Sequence, residues 1–288
     1  MTIRGRVLLA SPDGMLGRAW MALLERRNID HDAVSFPAFD LTDEASVRLA
    51  VSPRYQWVVN CAAWTDVDGA EAKESQAAAV NGTGVGWLAD ACRSAGATLI
   101  HYSTDYVFPG AAMSPYRTDC PPDPVNAYGR TKALGEGFVV SSGARHLLLR
   151  TSWLYAPWGK NFVRTIAGLS HERSELKVVD DQRGRPTSAE HLAQISLHLM
   201  DRQAHATGAA GIFHVTDGGE CTWFDLACAV VASTNPSCRV RRCSSADFPR
   251  PARRPTYSVL DIAKTEQVVG PMPSWQENIA SVLRVLEP

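Results

Sequence analysis

Along the first half of the chain, short β-branched and apolar runs alternate with longer segments whose apolar positions recur every three or four residues. The runs are RVLLA (6–10), DAVSF (32–36), WVVNCAA (57–63), TLIHY (98–102) and HLLLR (146–150). Helical spacing fills 14–28, 43–52, 75–96 and 128–142 between them. Five strands joined by four crossovers predict an α/β architecture, a Rossmann-type doubly wound parallel sheet. The second half is less regular, with helices predicted near 161–170, 188–202, 222–233 and 274–286 and short strands near 177–180 and 211–215. This pattern predicts a first domain over 1–150 and a smaller C-terminal α+β lobe over 151–288. A crossing near 187–205 would complete the first sheet.

Composition narrows the class. The chain has 288 residues, 45% of them hydrophobic and 20% charged, which excludes disordered, collagen-like and coiled-coil proteins. Its formal net charge of −1 supplies no bulk field for a nucleic acid or an anionic membrane, so neither is expected as a partner. Near the N-terminus only Val7 to Ala10 are continuously apolar, far short of a signal peptide's apolar region, and no stretch approaches the ~18 residues of a spanning helix. Seven cysteines occur with no CxxC pair and no zinc-like Cys/His spacing. A cytoplasmic, reduced and metal-free protein is the expectation. His191, His198 and His205 recur every seven residues, about two helical turns, and read as a solvated helix face.

Three local patterns carry candidate chemistry. The first run leads into Ser11-Pro12-Asp13-Gly14-Met15-Leu16-Gly17 and then a helix, where a dinucleotide fold places its phosphate turn. Gly14 and Gly17 fit the last two positions of GxxGxxG, and Ser11 stands in the first. Alone, the pattern also fits a tight turn with close helix packing at Gly17. Tyr128 and Lys132, at i and i+4, share a helix face, where an ammonium can favour the phenolate. The bland alternative is a lysine snorkelling beside a half-buried tyrosine. Ser103-Thr104-Asp105-Tyr106 follows the fourth strand, whose carboxyl end borders the switch point expected between strands one and four. The three patterns converge on one crevice and predict hydride transfer with a nicotinamide cofactor.

These residues resemble the extended short-chain dehydrogenase/reductase family, and within it the dTDP-4-keto-sugar reductase branch. Further matching stretches are VVNCAAWTDVDGAE (58–71), VNGTGVGWLADAC (80–92), STDYVFPG (103–110), PYRTDCPPDPVNAYGRTKALGE (115–136), LLRTSWLYAPWGKNFV (148–163), VVDDQRGRPTSAEHLA (178–193), GIFHVTDGGECTWFDLA (211–227) and RRPTYSVLD (253–261). The resemblance implies an NAD(P)-binding first domain and a substrate-binding second lobe. It implies reduction of the C4 ketone of dTDP-4-dehydro-β-L-rhamnose to dTDP-L-rhamnose. By position, Tyr128 would be the general acid, Lys132 would lower the Tyr128 pKa and bind the nicotinamide ribose, and Thr104 would polarise the ketone oxygen. Asp105 and Trp153 would contact the sugar. Gly14, Met15, Leu16, Asp40, Leu41, Ala63, Trp64, Thr65 and Tyr102 match the family's cofactor positions, together with Tyr128 and Lys132. Two alternatives stay open: a 4-ketoreductase acting on another nucleotide-deoxysugar, and a non-catalytic NADP-binding regulatory subunit.

Softer features surround this set. Gln182-Arg183-Gly184-Arg185-Pro186-Thr187 reads equally as a nucleotide-sugar clamp or a loop closing a strand. Arg250, Arg253 and Arg254 could grip a diphosphate or simply be solvated. Ser11 in the first glycine position would be strained if the turn needs positive φ. Arg18-Ala19 stand where some relatives place a metal-binding glutamate in a magnesium-bridged dimer, so no such metal is expected, while a homodimer stays open. Ser35-Phe36-Pro37 after the second run carries no acid to repel a 2′-phosphate, which favours NADPH, with NADH as the alternative.

Overall fold

The computed structural model describes residues 3–204 and 211–286. In chain order the elements are β1 (Arg6–Ala10), α1 (Met15–Arg26), β2 (His31–Val34), α2 (Glu44–Ala50), β3 (Tyr55–Asn60), α3 (Val67–Ala72) and α4 (Glu74–Ala78). A π-helical turn (Ala79–Thr83) leads into α5 (Gly84–Ala95) and β4 (Thr98–Thr104), and a 3-10 turn (Asp105–Val107) precedes α6 (Ala127–Ser141). Then come β5 (His146–Thr151), β6 (Leu154–Tyr155), α7 (Phe162–Glu172), β7 (Glu175–Val179), β8 (Arg183–Gly184), β9 (Thr187–Ser188) and α8 (Ala189–Ala204). The rest are β10 (Gly211–His214), β11 (Cys221–Thr222), α9 (Trp223–Thr234), β12 (Arg239–Cys243), a 3-10 turn (Ser245–Asp247), α10 (Ala263–Val269) and α11 (Trp275–Leu286).

Six strands form one sheet in the order β10-β5-β4-β3-β1-β2, every pair parallel. Its four inner strands, β1, β3, β4 and β5, are buried on both faces and alternate between two cores. Val7, Leu9, Val59, Ile100, Leu147 and Leu149 pack with α1 and α8 on one side, while Leu8, Val58, Leu99 and Leu148 pack with α2 and α5 on the other. The doubly wound sheet is therefore as the hydrophobic pattern predicts.

The order of strands is not. β1 lies between β2 and β3, and β4 is the next strand out, so the switch point falls between β1 and β3 rather than between strands one and four. The crossover after β2 is a single short helix, α2, which returns the chain to the free side of β1. Helical spacing over 75–96 also resolves into α4, the π-turn and α5.

After β5 the chain leaves the sheet and returns to it. Helix α8 packs against α1, and β10 pairs in parallel with β5, residues 211 to 214 lying beside 147 to 150. Helices α7, α9 and α11 cover the β7–β12 ribbon around a third core that includes Val163, Leu176, Leu226 and Ile279. His191 overturns the solvated-face reading. Its Nδ1 meets Asp217 Oδ1 at 2.7 Å in the interior, and that carboxylate also accepts from Tyr155 and Asn278. His198 is exposed, and His205 lies outside the described residues. All seven cysteines are free, and no described helix is long and apolar enough to cross a membrane.

Candidate active site

The turn after β1 is held by its neighbours. Ser11 N–H donates to Val34 O at 2.8 Å and Cys61 N–H to Ala10 O at 3.1 Å, which fixes the strand end between β2 and β3. Ser11 has φ of +61°, the left-handed conformation that the missing first glycine would have adopted freely. Gly17 is required by packing, because a Cβ there would sit 2.0 Å from Ser11 O. Gly14 is different: it caps α1 with ordinary φ, and a Cβ would meet nothing closer than 3.7 Å. No side chain caps the first N–H groups of α1. A glycine that the fold does not need, before uncapped N–H groups, fits a turn shaped for an approaching phosphate.

Beside this turn, a cleft of about 190 Å³ is lined by Ser11, Ser35, Phe36, Asp40, Leu41 and Ala63, among others. Asp40 faces it with its carboxylate folded back onto Thr42, at 2.8 Å from the amide and 2.7 Å from the hydroxyl. Met15 lends its carbonyl to Trp158 Nε1 at 3.0 Å, and Leu16 is buried in the α1 core. On the far side of β1, the Ala63-Trp64-Thr65 loop is fastened by Asn81. The Asn81 carboxamide accepts from Trp64 N–H at 2.9 Å and donates to Trp64 O at 3.0 Å and Thr131 Oγ1 at 3.1 Å.

Helix α6 delivers the tyrosine and the lysine. The Pro-rich run 121–124 cannot continue a helix, and Asn126 caps α6 through Gly129 N–H at 2.8 Å, so Tyr128 falls in the first turn. Gly129 permits close approach to the 3-10 turn after β4, since a Cβ there would lie 2.1 Å from Tyr106 O. Lys132 does not snorkel. It is 2% exposed, and its Nζ donates to Tyr102 O at 2.7 Å. Burial pulls its pKa down to about 8 against the opposing pull of Glu136. The Tyr102 hydroxyl points into the opposite core, accepting from Trp20 Nε1 at 2.8 Å and donating to Ser196 at 2.9 Å. Only the backbone of Tyr102 therefore faces the crevice.

Thr104 ends β4 in register with Thr151, and its hydroxyl donates to Asp105 Oδ1 at 3.0 Å. Asp105 is buried, and desolvation raises its carboxyl to about pH 6. Tyr128 is raised above the usual phenol range by burial and by the Asp105 charge, partly opposed by a hydrogen bond from Thr104. The opposing effect comes from Thr104 and not from Lys132, whose ammonium is bonded to the Tyr102 carbonyl. The lowered Tyr128 pKa expected from the spacing is thus not what the structure shows: the phenol keeps its proton.

A larger cleft of about 680 Å³ opens beside this group, walled by Tyr106, Phe162, Gln182, Trp223, Arg250, Arg253 and Arg254, among others. Tyr106 connects it to Tyr128, the two rings meeting edge-on at 5.8 Å. Trp153, in a left-handed conformation (φ +48°), lies between Gly184 and Trp223 and stacks on the latter at 3.6 Å. The cleft wall is thus formed by Trp223, with Trp153 behind it. Within 182–187, Gln182 faces the cleft while Arg185 lines a separate cavity of about 360 Å³ with Asp261 and Glu266. The sequence pattern missed Asn81, Trp223 and Asp68, the last of which anchors the arginine segment through Arg254.

A parallel sheet with Tyr128, Lys132 and Thr104 gathered at the carboxyl end of β4, beside a glycine turn, is the arrangement of the extended short-chain dehydrogenase/reductase class. The family model described as RmlD substrate binding domain matches residues 5–287, and the chain belongs to that family. It is similar to a dTDP-4-dehydrorhamnose reductase of Streptomyces griseus, 42% identical over 95% of this chain and 91% of the relative. It is also similar to a dTDP-4-keto-6-deoxy-D-glucose reductase of Streptomyces niveus, 42% identical over 88% of each chain. The crystal structure of dTDP-4-dehydrorhamnose reductase from Bacillus anthracis in complex with NADP superposes with a TM-score of 0.90, at 32% identity and 99% coverage of both chains.

Proposed function

We propose that this chain reduces the C4 ketone of dTDP-4-dehydro-β-L-rhamnose with NADPH, giving dTDP-L-rhamnose. The observation that carries the reading is the meeting of Tyr128, Lys132 and Thr104 between a phosphate-shaped turn and a cleft large enough for a sugar nucleotide. Bound at the Gly14 turn, NADPH would supply the hydride. Gly14, Met15 and Leu16 would hold the pyrophosphate, with Asp40, Leu41, Ala63, Trp64, Thr65 and the Tyr102 backbone around the rest of the cofactor. The residues fit such a group, since the α1 N–H groups are uncapped and Gly14 leaves room for it.

Tyr128, holding its proton at neutral pH, donates it to the ketone oxygen as negative charge develops there. Thr104 turns its hydroxyl from Asp105 to the same oxygen and polarises the carbonyl. Lys132, held on the Tyr102 carbonyl, would orient the nicotinamide ribose. Asp105 positions Thr104 and the sugar. Arg250, Arg253 and Arg254 face the diphosphate from the cleft wall, and Arg253 has no ion-pair partner among the described residues.

A second reading rests on the Streptomyces niveus relative: the same site acting on another dTDP-4-keto-6-deoxysugar. Incubating purified protein with NADPH and each ketosugar, with Tyr128→Phe as control, decides between them. The first reading expects cofactor oxidation with dTDP-4-dehydrorhamnose that falls at least about 100-fold in the variant. Turnover confined to a different ketosugar selects the second reading. No cofactor oxidation with any ketosugar rejects both.

A further inference from the structure

The face of α6 that presents Tyr128 and Lys132 continues to Glu136, one further turn along and about 6 Å from Lys132 by helical rise. Glu136 is held by Arg150 of β5 in a two-pronged pair, Nε to Oε1 at 2.9 Å and Nη2 to Oε2 at 2.7 Å. Both side chains are buried, with 4% and 2% exposure. Phe108 covers the guanidinium at 4.9 Å, and Arg150 Nη1 reaches Thr118 O and His214 Nε2, each at 3.4 Å.

Such a pair is an expensive way to join a helix to a strand. Desolvating two charges offsets most of their attraction, and apolar side chains of similar volume would join β5 to α6 as well. The need for charge lies in the neighbour. Lys132 is the buried cation on the same face, with no carboxylate bonded to it among the described residues.

Other groups packed around α6 do not supply that counter-charge. On α3, Glu71 accepts the Ala127 N–H at the helix start, and on α4, Glu74 pairs with Arg130 on the exposed flank. Asn81 in the π-turn is neutral. On β4, His101 is held neutral by burial and by Lys132 itself. Asp105, after β4, acts on Tyr128 and takes its hydrogen bond from Thr104. His214, behind Arg150, is kept neutral by burial and by the guanidinium.

The structure assigns Glu136, clamped by Arg150, as the positioning residue that keeps Lys132 charged and aimed at the Tyr102 carbonyl. Its bearing on catalysis rests on the ketoreductase reading, but its effect on Lys132 does not. Without Glu136 the buried ammonium would face Arg150 uncompensated.

The test reads the lysine directly. The chain has five lysines, so full-length protein labelled with carbon-13 at lysine Cε gives a resolvable NMR titration, and Lys132→Met assigns its signal. In the parent protein the Lys132 signal should titrate at about 8. In Glu136→Gln the midpoint should fall by about one to two pH units while the other four lysines hold theirs. If that variant does not fold, Glu136→Gln combined with Arg150→Gln, an uncharged hydrogen-bonded pair, should shift Lys132 in the same direction. A folded variant with an unmoved Lys132 midpoint overturns the assignment and leaves the ion pair as a structural tie. Because neither cofactor nor sugar is present, failure of the ketoreductase reading does not affect this result.

Discussion

Asp68 of α3 holds Arg254 across the mouth of the larger cleft, Oδ2 to Nη2 at 3.0 Å, and its other oxygen accepts the Ala252 N–H at 3.2 Å. The contact fastens the arginine segment 250–254 to the sheet body close to Asn126, whose Nδ2 donates to Arg253 O at 2.9 Å. The segment that would meet the diphosphate is thereby tied to the cap of the helix carrying Tyr128. Asp68→Asn should raise KM for the sugar nucleotide about fivefold and leave kcat within about twofold, as expected for a part-exposed pair of about 1 kcal/mol. Steady-state kinetics with varied ketosugar checks this.

Two glycines in one turn should answer differently to the same change. Gly17→Ala pushes a methyl into Ser11 O and should cost about 1–3 kcal/mol of stability, read by urea unfolding. Gly14→Ala meets no protein atom within 3.5 Å and should stay within about 1 kcal/mol of the parent, yet weaken NADPH binding. Equal NADPH affinity in Gly14→Ala and the parent would remove that glycine from the cofactor site.

Ser11 carries strain that glycine would not. Ser11→Gly should therefore raise stability by about 0.5–1 kcal/mol, the left-handed penalty less the added freedom of the unfolded chain. Thermal unfolding of the two proteins measures it.

Asp105 makes stability depend on pH. Its folded pKa, about 6, lies above the ordinary 3.8 because burial penalises the carboxylate. Its favourable contribution is complete below the unfolded value and is lost as pH rises through the folded one. Asp105→Asn should accordingly stabilise the protein by about 3 kcal/mol at pH ~8 and by about half that at pH ~5, while lowering activity. A gain that is flat across this range would mean the carboxyl is not desolvated.

Much of the fold was legible because strands buried on both faces and amphipathic helices write their periods into the chain. Helix α6 was legible from its helical spacing over 128–142, and the turn after β1 from two glycines before a helix. The strand order was not, since hydrophobic period says nothing about whether β3 or β4 lies beside β1. Trp153 and Trp223 are 70 positions apart, and their stacking depends on how the second half wraps over β8. His191 shows the same limit. A seven-residue spacing identifies a helix face, but Asp217 in a distant segment decides that this position is buried.

The most direct test follows the hydrogen. NADPH carrying deuterium at both C4 positions of the nicotinamide is incubated with dTDP-4-dehydrorhamnose and the protein, and the product is read by NMR. The account predicts dTDP-L-rhamnose with deuterium at the sugar C4, formed by the parent protein and lost in Tyr128→Phe. A folded parent protein that yields no deuterated sugar, or Tyr128→Phe that yields it at the parent rate, contradicts the account.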